Sequence, residues 1–176
     1  MDVEKLLPQK TGAIEGIVDT GLVVIAHFKN PAQEVAFDFL SSVLSWERRC
    51  LIPTSAFLGA YHIMTRYLGV EKVAAQMALS RSLMSQSPAL HGEISPDLAR
   101  GSLSYASGYD VESWDGYILS LAKVVRAPVI YTVDRELARK VKDLVVHNPI
   151  PPEIFDQYNR WLREKLTSSS EGEQGL

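Results

Sequence analysis

The sequence predicts an α/β protein with a parallel sheet that carries helices on both of its faces. Short apolar runs alternate along the chain with longer patterns of helical periodicity, as expected for strands joined by crossover helices. Two of the apolar runs end in an aspartate, Asp19 and Asp134. A strand that is buried on both faces has no solvated face for a carboxylate. Each aspartate is therefore expected at the carboxyl end of its strand, the edge where open α/β sheets bind ligands.

Length and composition are those of one globular domain, expected over residues 1–167. The chain has 176 residues, of which 46% are hydrophobic and 22% charged, and its net charge is −3. A nucleic-acid partner would therefore be held by a local patch or by metal ions, not by a general basic surface. Cys50 is the single cysteine, which excludes an intramolecular disulfide and favours a cytoplasmic location. We find no signal peptide and no apolar run of ~18–20 residues, so no membrane association is expected.

In the first half of the chain, residues 1–12 are expected to form an irregular arm or a short helix. Asn30 can cap a helix that starts at Pro31. Thr54 or Ser55 can cap the helix that follows the second strand. The elements expected here are a strand at 13–18, helices at 22–28 and 31–47, a strand at 50–53, and helices at 54–68 and 71–85.

In the second half, Ser95 and Pro96 start one helix, and Asp110 or Ser113 can cap the next. Residues 168–176 are rich in Ser, Glu and Gly, have nothing to bury, and are expected to be a disordered tail. The elements expected here are a weaker strand at 89–95, helices at 96–107 and 113–126, a strand at 129–133, a helix at 135–142, a strand at 144–146, and a final helix at 153–167.

A third carboxylate joins the two aspartates at the strand ends. Asp115 is expected in the first turn of the helix that leads into the strand at 129–133, where the helix dipole favours a negative charge. The start of such a helix can lie near the same edge of the sheet, and Glu112 could share its face. Each aspartate alone is more often a turn residue or a helix cap. The three together indicate an acidic site.

Carboxylates that converge in one site repel each other unless a cation is present. Oxygen ligands of this kind suit Mg²⁺ or Mn²⁺, which can activate water and hold a phosphodiester. The four histidines are scattered, so no zinc cluster is predicted. Two other phosphotransfer folds fit less well. Haloacid dehalogenases need an aspartate where Gly21 stands, and receiver domains need a lysine near a later strand end, where this chain has Thr132 and Asp134.

Three segments resemble motifs of the PIN domains, a family of metal-dependent ribonucleases that includes the toxins of VapBC-type toxin–antitoxin pairs. Residues 16–26 resemble the opening strand and first acid of the family. Residues 114–122 resemble its aspartate-bearing helix, and residues 129–137 resemble a later strand end that carries another acid. The order of the three segments and the spacing from Asp115 to Asp134 also fit, and the resemblance covers residues 13–150.

The resemblance implies a three-layer α/β/α sandwich with a central parallel sheet of four or five strands. It also implies an acidic pocket that holds Mg²⁺ or Mn²⁺ and hydrolyses RNA, and an antitoxin-like protein as a partner. Asp19, Asp115 and Asp134 match the metal ligands and catalytic acids of the family. By the same resemblance, Thr20 and Thr132 would orient these carboxylates or a water molecule.

The sequence departs from the family pattern at one position. The family has a glutamate early in the helix after the second strand, whereas residues 54–62 contain no carboxylate and Tyr61 falls near the expected place. His62 or Glu112 could supply the missing contact, although a surface histidine is the simpler interpretation of His62. The alternative to an active nuclease is a PIN-fold module with weakened or lost activity that binds RNA or a protein partner.

Two further patterns have both a functional and a structural interpretation. Arg135, Arg139 and Lys140 follow Asp134 and could contact an RNA backbone, or they could form a solvated helix face. In the final helix, one face carries Tyr158, Trp161 and Leu162. This face is expected to pack on the core. If it were left exposed, it would bind an antitoxin or a second copy of the chain in a homodimer.

Overall fold

Five short strands form the central sheet: β1 (Gly16–Val18), β2 (Cys50–Pro53), β3 (Leu90–His91), β4 (Val129–Tyr131) and β5 (Val145–His147). They lie in the order β3-β2-β1-β4-β5, and each neighbouring pair is parallel. These parallel pairs confirm the predicted α/β class with a parallel sheet. The computed structural model describes residues 13–172.

Eight helices within the described residues flank the sheet, and each corresponds to a helix predicted from the sequence. None of the helices in residues 13–172 combines the length and apolar character needed to cross a bilayer. The helices are α1 (Thr20–Ala26), α2 (Gln33–Leu44), α3 (Thr54–Arg66), α4 (Lys72–Leu83), α5 (Pro96–Tyr109), α6 (Ser113–Val125), α7 (Arg135–Lys140) and α8 (Pro152–Gly172).

The alternation of side chains along the strands divides the core between the two faces of the sheet. In β1, Ile17 and Val18 belong to different clusters, and in β4, Ile130 and Tyr131 are divided in the same way. The cluster with Val18 and Tyr131 includes residues of α1 to α4 and α8, whereas the cluster with Ile17 and Ile130 includes residues of α5 to α7. These two cores make the molecule a three-layer sandwich.

Two helices begin at other residues than predicted. α1 begins at Thr20, not at residue 22, because the side chain of Asp19 caps it by accepting a hydrogen bond from the Thr20 amide. α2 begins at Gln33, although Asn30, its predicted cap, accepts a hydrogen bond from the Ala32 amide through Oδ1. The Asn30 side-chain amide donates to the carbonyl of Ile25, so that this residue fixes the turn between α1 and α2.

Two predicted elements differ in length from those in the structure. β3 contains only Leu90–His91 instead of residues 89–95, because Gly92 packs no side chain and Ile94 is 44% exposed. α8 continues to Gly172, so the disordered tail predicted from residue 168 is wrong for residues 168–172. Extending an existing helix costs little, since each added residue gains a hydrogen bond. The predicted arm at 1–12 and the rest of the tail at 173–176 lie outside the described residues.

The apolar face of α8 packs on the protein itself. Tyr158 is buried in the cluster on the α1 to α4 side, and Trp161 and Leu162 are partly buried against the same cluster. The ring of Trp161 lies 5.7 Å from that of Phe28, measured between centroids. The predicted core packing of this face is confirmed, and its side chains are occupied within the fold.

Candidate active site at the carboxyl edge of the sheet

The chain order reverses between β1 and β4, and the candidate site lies at this point. From β1 the chain moves outward to β2 and β3, and it then returns to place β4 on the other side of β1. In open α/β sheets, the crevice beyond the carboxyl ends at such a switch point is where ligands bind. Because Val18 pairs with Tyr131, the two strands end side by side, and Asp19 and Asp134 follow them at one edge.

Asp19 is fixed at the end of β1 by hydrogen bonds to its backbone and to both carboxylate oxygens. Its amide donates to the carbonyl of Tyr131 at 2.9 Å. Its Oδ1 accepts from the Thr20 amide at 2.6 Å, and its Oδ2 accepts from the Thr132 hydroxyl at 2.7 Å. Burial raises the pKa of Asp19 and the charge of Asp134 adds to the rise, although the hydrogen bonds from Thr132 and Thr20 oppose it. The carboxylate is therefore well oriented but costly to ionise.

Thr132 connects Asp19 to Asp134. Its hydroxyl donates to Asp19 and accepts from the Asp134 amide at 3.0 Å, and the residue is only 2% exposed. Asp134 caps α7 through Oδ1, which accepts from the amides of Glu136 at 2.7 Å and Leu137 at 3.2 Å. Since both capping bonds fall on Oδ1, the second oxygen, Oδ2, is the one that can face a ligand.

Asp115 approaches the same edge from α6, where it lies in the first turn. Burial raises the pKa of Asp115 to about 6, and the charges of Asp19, Asp134 and Glu112 contribute to this rise. Such an effect arises when carboxylates lie near one another in a poorly solvated place. The structure therefore brings together the three aspartates that the sequence singled out.

One cavity of about 600 Å³ is lined by all three aspartates. Its volume is in the range of pockets that bind small ligands. Burial of Asp19 and Asp115 reduces the screening of their charges by solvent, so the carboxylates interact more strongly than they would on an open surface. Most of the remaining wall is apolar and includes Ala56, Leu58, Ile63, Ile118 and Val133.

Two glycines allow neighbouring elements to approach Asp19 closely. A Cβ atom on Gly21 would lie 2.7 Å from Cγ2 of Val133, and a Cβ atom on Gly59 would lie 3.2 Å from Cγ2 of Thr20. α1 therefore passes close to the turn that follows β4, and α3 passes close to the start of α1. These two contacts determine how tightly the cavity wall closes around Asp19.

The wall formed by α3 contains no carboxylate. Gly59, His62 and Ile63 line the cavity, whereas Tyr61, near the position of the family's glutamate, is partly buried against the core. His62 is exposed, and its ring meets that of Tyr67 edge-on at 5.6 Å between centroids. His62, one of the two residues predicted to replace the missing glutamate, therefore lines the cavity but offers an imidazole ring and no carboxylate.

A polar pocket of about 320 Å³ adjoins the cavity, and Asp115 and Asp134 line both. Glu112, the other predicted substitute, lines this second pocket together with Lys140. The amino group of Lys140 forms an ion pair of 2.9 Å with Glu136. Glu112 is therefore near two of the three aspartates but lies outside the main cavity.

The three basic residues predicted to contact RNA all form ion pairs in the structure. Arg135 pairs with Asp156 at 3.4 Å, and Arg139 pairs with Glu136 at 3.7 Å. The side chains of these two arginines are about three-quarters exposed. The side chain of Lys140 is the least exposed of the three. Exposed ion pairs contribute little to stability, so both arginines can exchange their partners for phosphate.

Within residues 13–172, no group of three or more His, Cys, Asp or Glu side chains, such as a cage of protein ligands would need, is placed so that it could hold a metal ion. Mg²⁺ does not need such a cage, since it is commonly held by one or two carboxylates and keeps several waters. The donors at the cavity are carboxylate oxygens, which this ion prefers. A bound cation would also reverse the rise in the pKa of Asp115. The donor chemistry therefore fits Mg²⁺ or Mn²⁺.

Ser55 and Tyr117 are among the cavity residues that were not identified from the sequence. Both line the cavity with the aspartates. Tyr117 follows Trp114 by three positions, so the two share a face of α6. This spacing is the signal that could have placed Tyr117 in the site, whereas nothing in the sequence distinguishes Ser55 from an ordinary residue at a helix start.

Comparisons with known proteins agree with this fold. No protein-family model and no curated protein matches the chain. The structure is similar to the crystal structure of PAE2754 from Pyrobaculum aerophilum, with a TM-score of 0.53 and 18% identity over 88% of this chain and 98% of that one. It is also similar to a toxin–antitoxin complex from Klebsiella pneumoniae, with a TM-score of 0.52 and 18% identity over 77% and 98% of the two chains. At this identity the similarity concerns the fold alone.

Proposed function

We propose that this protein is a PIN-type ribonuclease that hydrolyses RNA phosphodiester bonds with Mg²⁺ or Mn²⁺. The observation that carries the proposal is the convergence of Asp19, Asp115 and Asp134 on one cavity at the switch point of the sheet. Burial, and after it the charges of Asp19 and Asp134, raise the pKa of Asp115 to about 6, and a divalent cation at the cavity would oppose this rise.

In this proposal the aspartates hold the ion and the threonine beside them fixes their orientation. When bound, such an ion lowers the pKa of water and neutralises charge on the phosphate. Asp134 presents Oδ2 because its Oδ1 caps α7. Thr132 keeps Asp19 in one rotamer through its hydroxyl, as outer hydrogen-bond partners do in metal sites.

The basic side chains after Asp134 are proposed to contact the RNA backbone. Arg135 lies directly after Asp134, and its partner Asp156 is 68% exposed. A phosphate can replace such a solvated partner at little cost. RNA binding by Arg135 and Arg139 should weaken with increasing salt, because each phosphate contact releases counterions.

The test is cleavage of labelled single-stranded RNA in Mn²⁺ and in EDTA. We expect cleavage in Mn²⁺ alone and a loss of at least about 100-fold in Asp19→Asn and Asp134→Asn. Asp97→Asn is the matched control, because Asp97 is an exposed aspartate of α5 that pairs with Arg100 at 3.1 Å. Equal cleavage in EDTA, or full activity of Asp19→Asn, would contradict the proposal.

A second candidate is a PIN-fold module whose nuclease activity is weak or lost. The observation that favours it is the α3 wall, where Gly59 and His62 line the cavity without a carboxylate. Fewer negative ligands bind a divalent cation less tightly. A Mn²⁺ titration by calorimetry separates the two candidates. Tight binding that Asp19→Asn abolishes supports the nuclease, whereas absence of binding supports the inactive module.

An antitoxin-like protein is the proposed macromolecular partner besides RNA. A toxin–antitoxin complex from Klebsiella pneumoniae has a similar fold, and an acidic cavity with an apolar wall suits a basic, apolar segment of such a partner. A homodimer also remains a prediction, and light scattering of the purified chain measures it. We further expect the protein to act in the cytoplasm.

A further inference from the structure

Trp114 is an exposed aromatic residue at the rim of the acidic cavity. Its side chain is 61% exposed, and it lines the cavity together with the three aspartates. It directly precedes Asp115 in the first turn of α6. Leu58, which is 74% exposed, lines the same cavity, so the side chains of Trp114 and Leu58 form an exposed apolar patch, which is more informative than a single exposed residue.

Tyr117 is the opposite case, a buried aromatic residue with an unsatisfied polar group. The residue is 4% exposed, and within residues 13–172 no group makes a hydrogen bond with its buried hydroxyl. Ser55 is near enough to lower the pKa of Tyr117 and so to offset part of the rise caused by burial, but the two hydroxyls do not reach hydrogen-bond geometry. A buried hydroxyl without a partner is costly, so a ligand atom that reached this hydroxyl would gain a favourable hydrogen bond.

Trp114 and Tyr117 form one aromatic wall. Their rings meet edge to face, with centroids 6.3 Å apart and an interplanar angle of 87°. Both residues line the main cavity and also an apolar groove of about 240 Å³ beside it. Leu58, which is 74% exposed, adds to the apolar rim. The site thus offers a flat aromatic surface, an apolar rim and one hydroxyl, next to carboxylates.

We propose that Trp114 and Tyr117 bind an unpaired nucleobase of the RNA, which stacks on the indole and hydrogen-bonds to the Tyr117 hydroxyl. The inference rests on the proposed function, because it places the base beside the carboxylates that would act on the adjoining phosphodiester. Trp114 and Asp115 are consecutive, with Cα atoms about 3.8 Å apart. Both residues line the cavity, so the proposal places the phosphates next to this base on the side of Asp115.

A nucleobase fits these features better than an aliphatic peptide side chain does. Single-stranded RNA is recognised by stacking of unpaired bases on aromatic rings and by hydrogen bonds to the base edges. An aliphatic side chain could fill the apolar rim near Leu58, but it would leave the Tyr117 hydroxyl without a partner. A base offers a flat face for Trp114 and polar edge atoms for Tyr117 at the same time.

The first test compares the binding of two RNA probes to the full chain. The probes are a short labelled single-stranded oligoribonucleotide and the same backbone with abasic sites, and binding is followed by fluorescence anisotropy in Ca²⁺. We expect Trp114→Ala to weaken binding of the base-containing probe about tenfold or more, to leave the abasic probe unchanged, and Trp114→Phe to restore most of the affinity. Val124→Ala is the control, since Val124 is a 68% exposed apolar residue of the same helix outside the cavity.

The second test uses Tyr117→Phe and separates a ligand contact from a structural role. If the hydroxyl serves a ligand, its removal raises the melting temperature of the free protein, because an unsatisfied polar group is deleted. The same substitution weakens binding of the base-containing probe several-fold. A lower melting temperature with unchanged RNA affinity would show that the hydroxyl serves the fold and would overturn its assignment to the base.

The outcome for the base site is distinct from the outcome for the nuclease. If Trp114→Ala weakens the binding of both probes equally, or of neither, the base site is wrong even if the protein cleaves RNA in Mn²⁺. Unchanged binding of both probes is the result expected if the aromatic wall binds a protein partner. Base-dependent binding that requires Trp114, in a protein that does not cleave RNA in Mn²⁺, supports the base site and contradicts the nuclease.

Discussion

The hydroxyl of Thr132 donates a 2.7 Å hydrogen bond to Oδ2 of Asp19, a residue 113 positions earlier in the chain. The same hydroxyl accepts from the amide of Asp134. One buried side chain at the end of β4 therefore orients the acid that follows β1 and the turn that carries the acid after β4. The geometry of the candidate site depends on this hydroxyl more than on any other polar group between the strands.

Substitution of Thr132 by Val should reduce activity while preserving the shape of the side chain. The change removes the donor to Asp19 and the acceptor of the Asp134 amide, so we expect Mn²⁺-dependent cleavage to fall roughly 10- to 100-fold. The free energy of unfolding should fall by about 1–3 kcal/mol, because the polar groups of a partly buried carboxylate and an amide lose their partner. Cleavage rates and urea unfolding measure the two effects.

Thr132→Ser is the control for this prediction. It keeps the hydroxyl and removes only a methyl group, so most of the activity should return, with a small loss of packing. If Thr132→Val is as active as the wild type, Asp19 does not need this orientation, and the proposed role of Thr132 is wrong.

Replacing Asp115 by Asn should make the protein more stable at neutral pH and inactive. The pKa of Asp115 is raised to about 6 in the folded state, from about 3.8 in an unfolded chain. The folded state therefore holds a proton more tightly, and stability falls as the pH rises from about 4 to 6. Because Asp115 is only half-buried, we expect a gain of about 1 kcal/mol at pH 7, or ~2–4 °C in melting temperature.

The pH dependence provides the control for the Asp115 prediction. At pH 4 the wild-type carboxyl is mostly protonated, so Asp115→Asn and the wild type should then have similar stability. Thermal melts at pH 4 and pH 7 make this comparison. An equal difference at both pH values would mean that ionisation of the Asp115 carboxyl is not the cause.

His27 should make the protein less stable in mild acid. The ring is 8% exposed, with Nδ1 2.6 Å from the carbonyl of Val23 and Nε2 2.8 Å from the Ser82 hydroxyl. Burial lowers the pKa of His27 below its usual 6.5. The unfolded chain then binds a proton more readily, so stability is lost as the pH falls below about 6.5. Chemical unfolding between pH 7 and pH 5 measures this loss.

The test of His27 is best made in the Asp115→Asn background. Asp115 changes stability in the opposite direction over part of the same pH range, so its removal takes away one opposing contribution. Asp19, whose pKa is also raised, is present with and without His27, so the difference between the two slopes reports the histidine. His27→Gln in that background should flatten the slope between pH 7 and pH 5. An unchanged slope would assign the acid sensitivity to other groups.

Two glycines in helices make a matched pair for the packing around the site. A Cβ atom on Gly21 would meet Cγ2 of Val133 at 2.7 Å, whereas Gly108 in α5 has no atom within 4 Å of such a Cβ. Gly108→Ala should therefore stabilise the protein by about 0.5–1 kcal/mol through helix propensity. Gly21→Ala must displace Val133 beside Asp134, so it should lower both stability and cleavage. Equal effects of the two substitutions would contradict this account.

The fold could be predicted from the sequence because each of its signals was local. The apolar run that ends at Asp19 and the run that precedes Asp134 predicted the two central strands. The resemblance to the PIN motifs predicted that helices form a layer on each face of the sheet. The exact helix starts could not be predicted, since they depend on competition between side chains. Asn30 has a normal capping sequence, but it bonds back to Ile25 and leaves α2 to start later.

The lining of the site was less predictable than the position of its acids. Asp19, Asp115 and Asp134 are each ordinary as a turn or cap residue, and it is their joint pattern in the sequence that indicates an acidic site. Tyr117 lies within the buried run of α6 from Gly116 to Ala122, and its significance arises from the unsatisfied hydroxyl. The spacing from Trp114 indicates the face of α6 on which Tyr117 lies, but only the folded structure shows that its hydroxyl has no partner.

No carboxylate of α3 lines the cavity, so the last prediction is that His62→Glu strengthens metal binding. His62 lines the cavity with the three aspartates, and a carboxylate there adds one negative oxygen ligand or one more charge near the ion. We expect the Kd for Mn²⁺, measured by calorimetry, to fall about tenfold and RNA cleavage to rise. The metal-free variant should be less stable, because a fourth carboxylate increases repulsion. His62→Gln is the uncharged control. Unchanged Mn²⁺ affinity in His62→Glu would show that this face of α3 does not reach the ion.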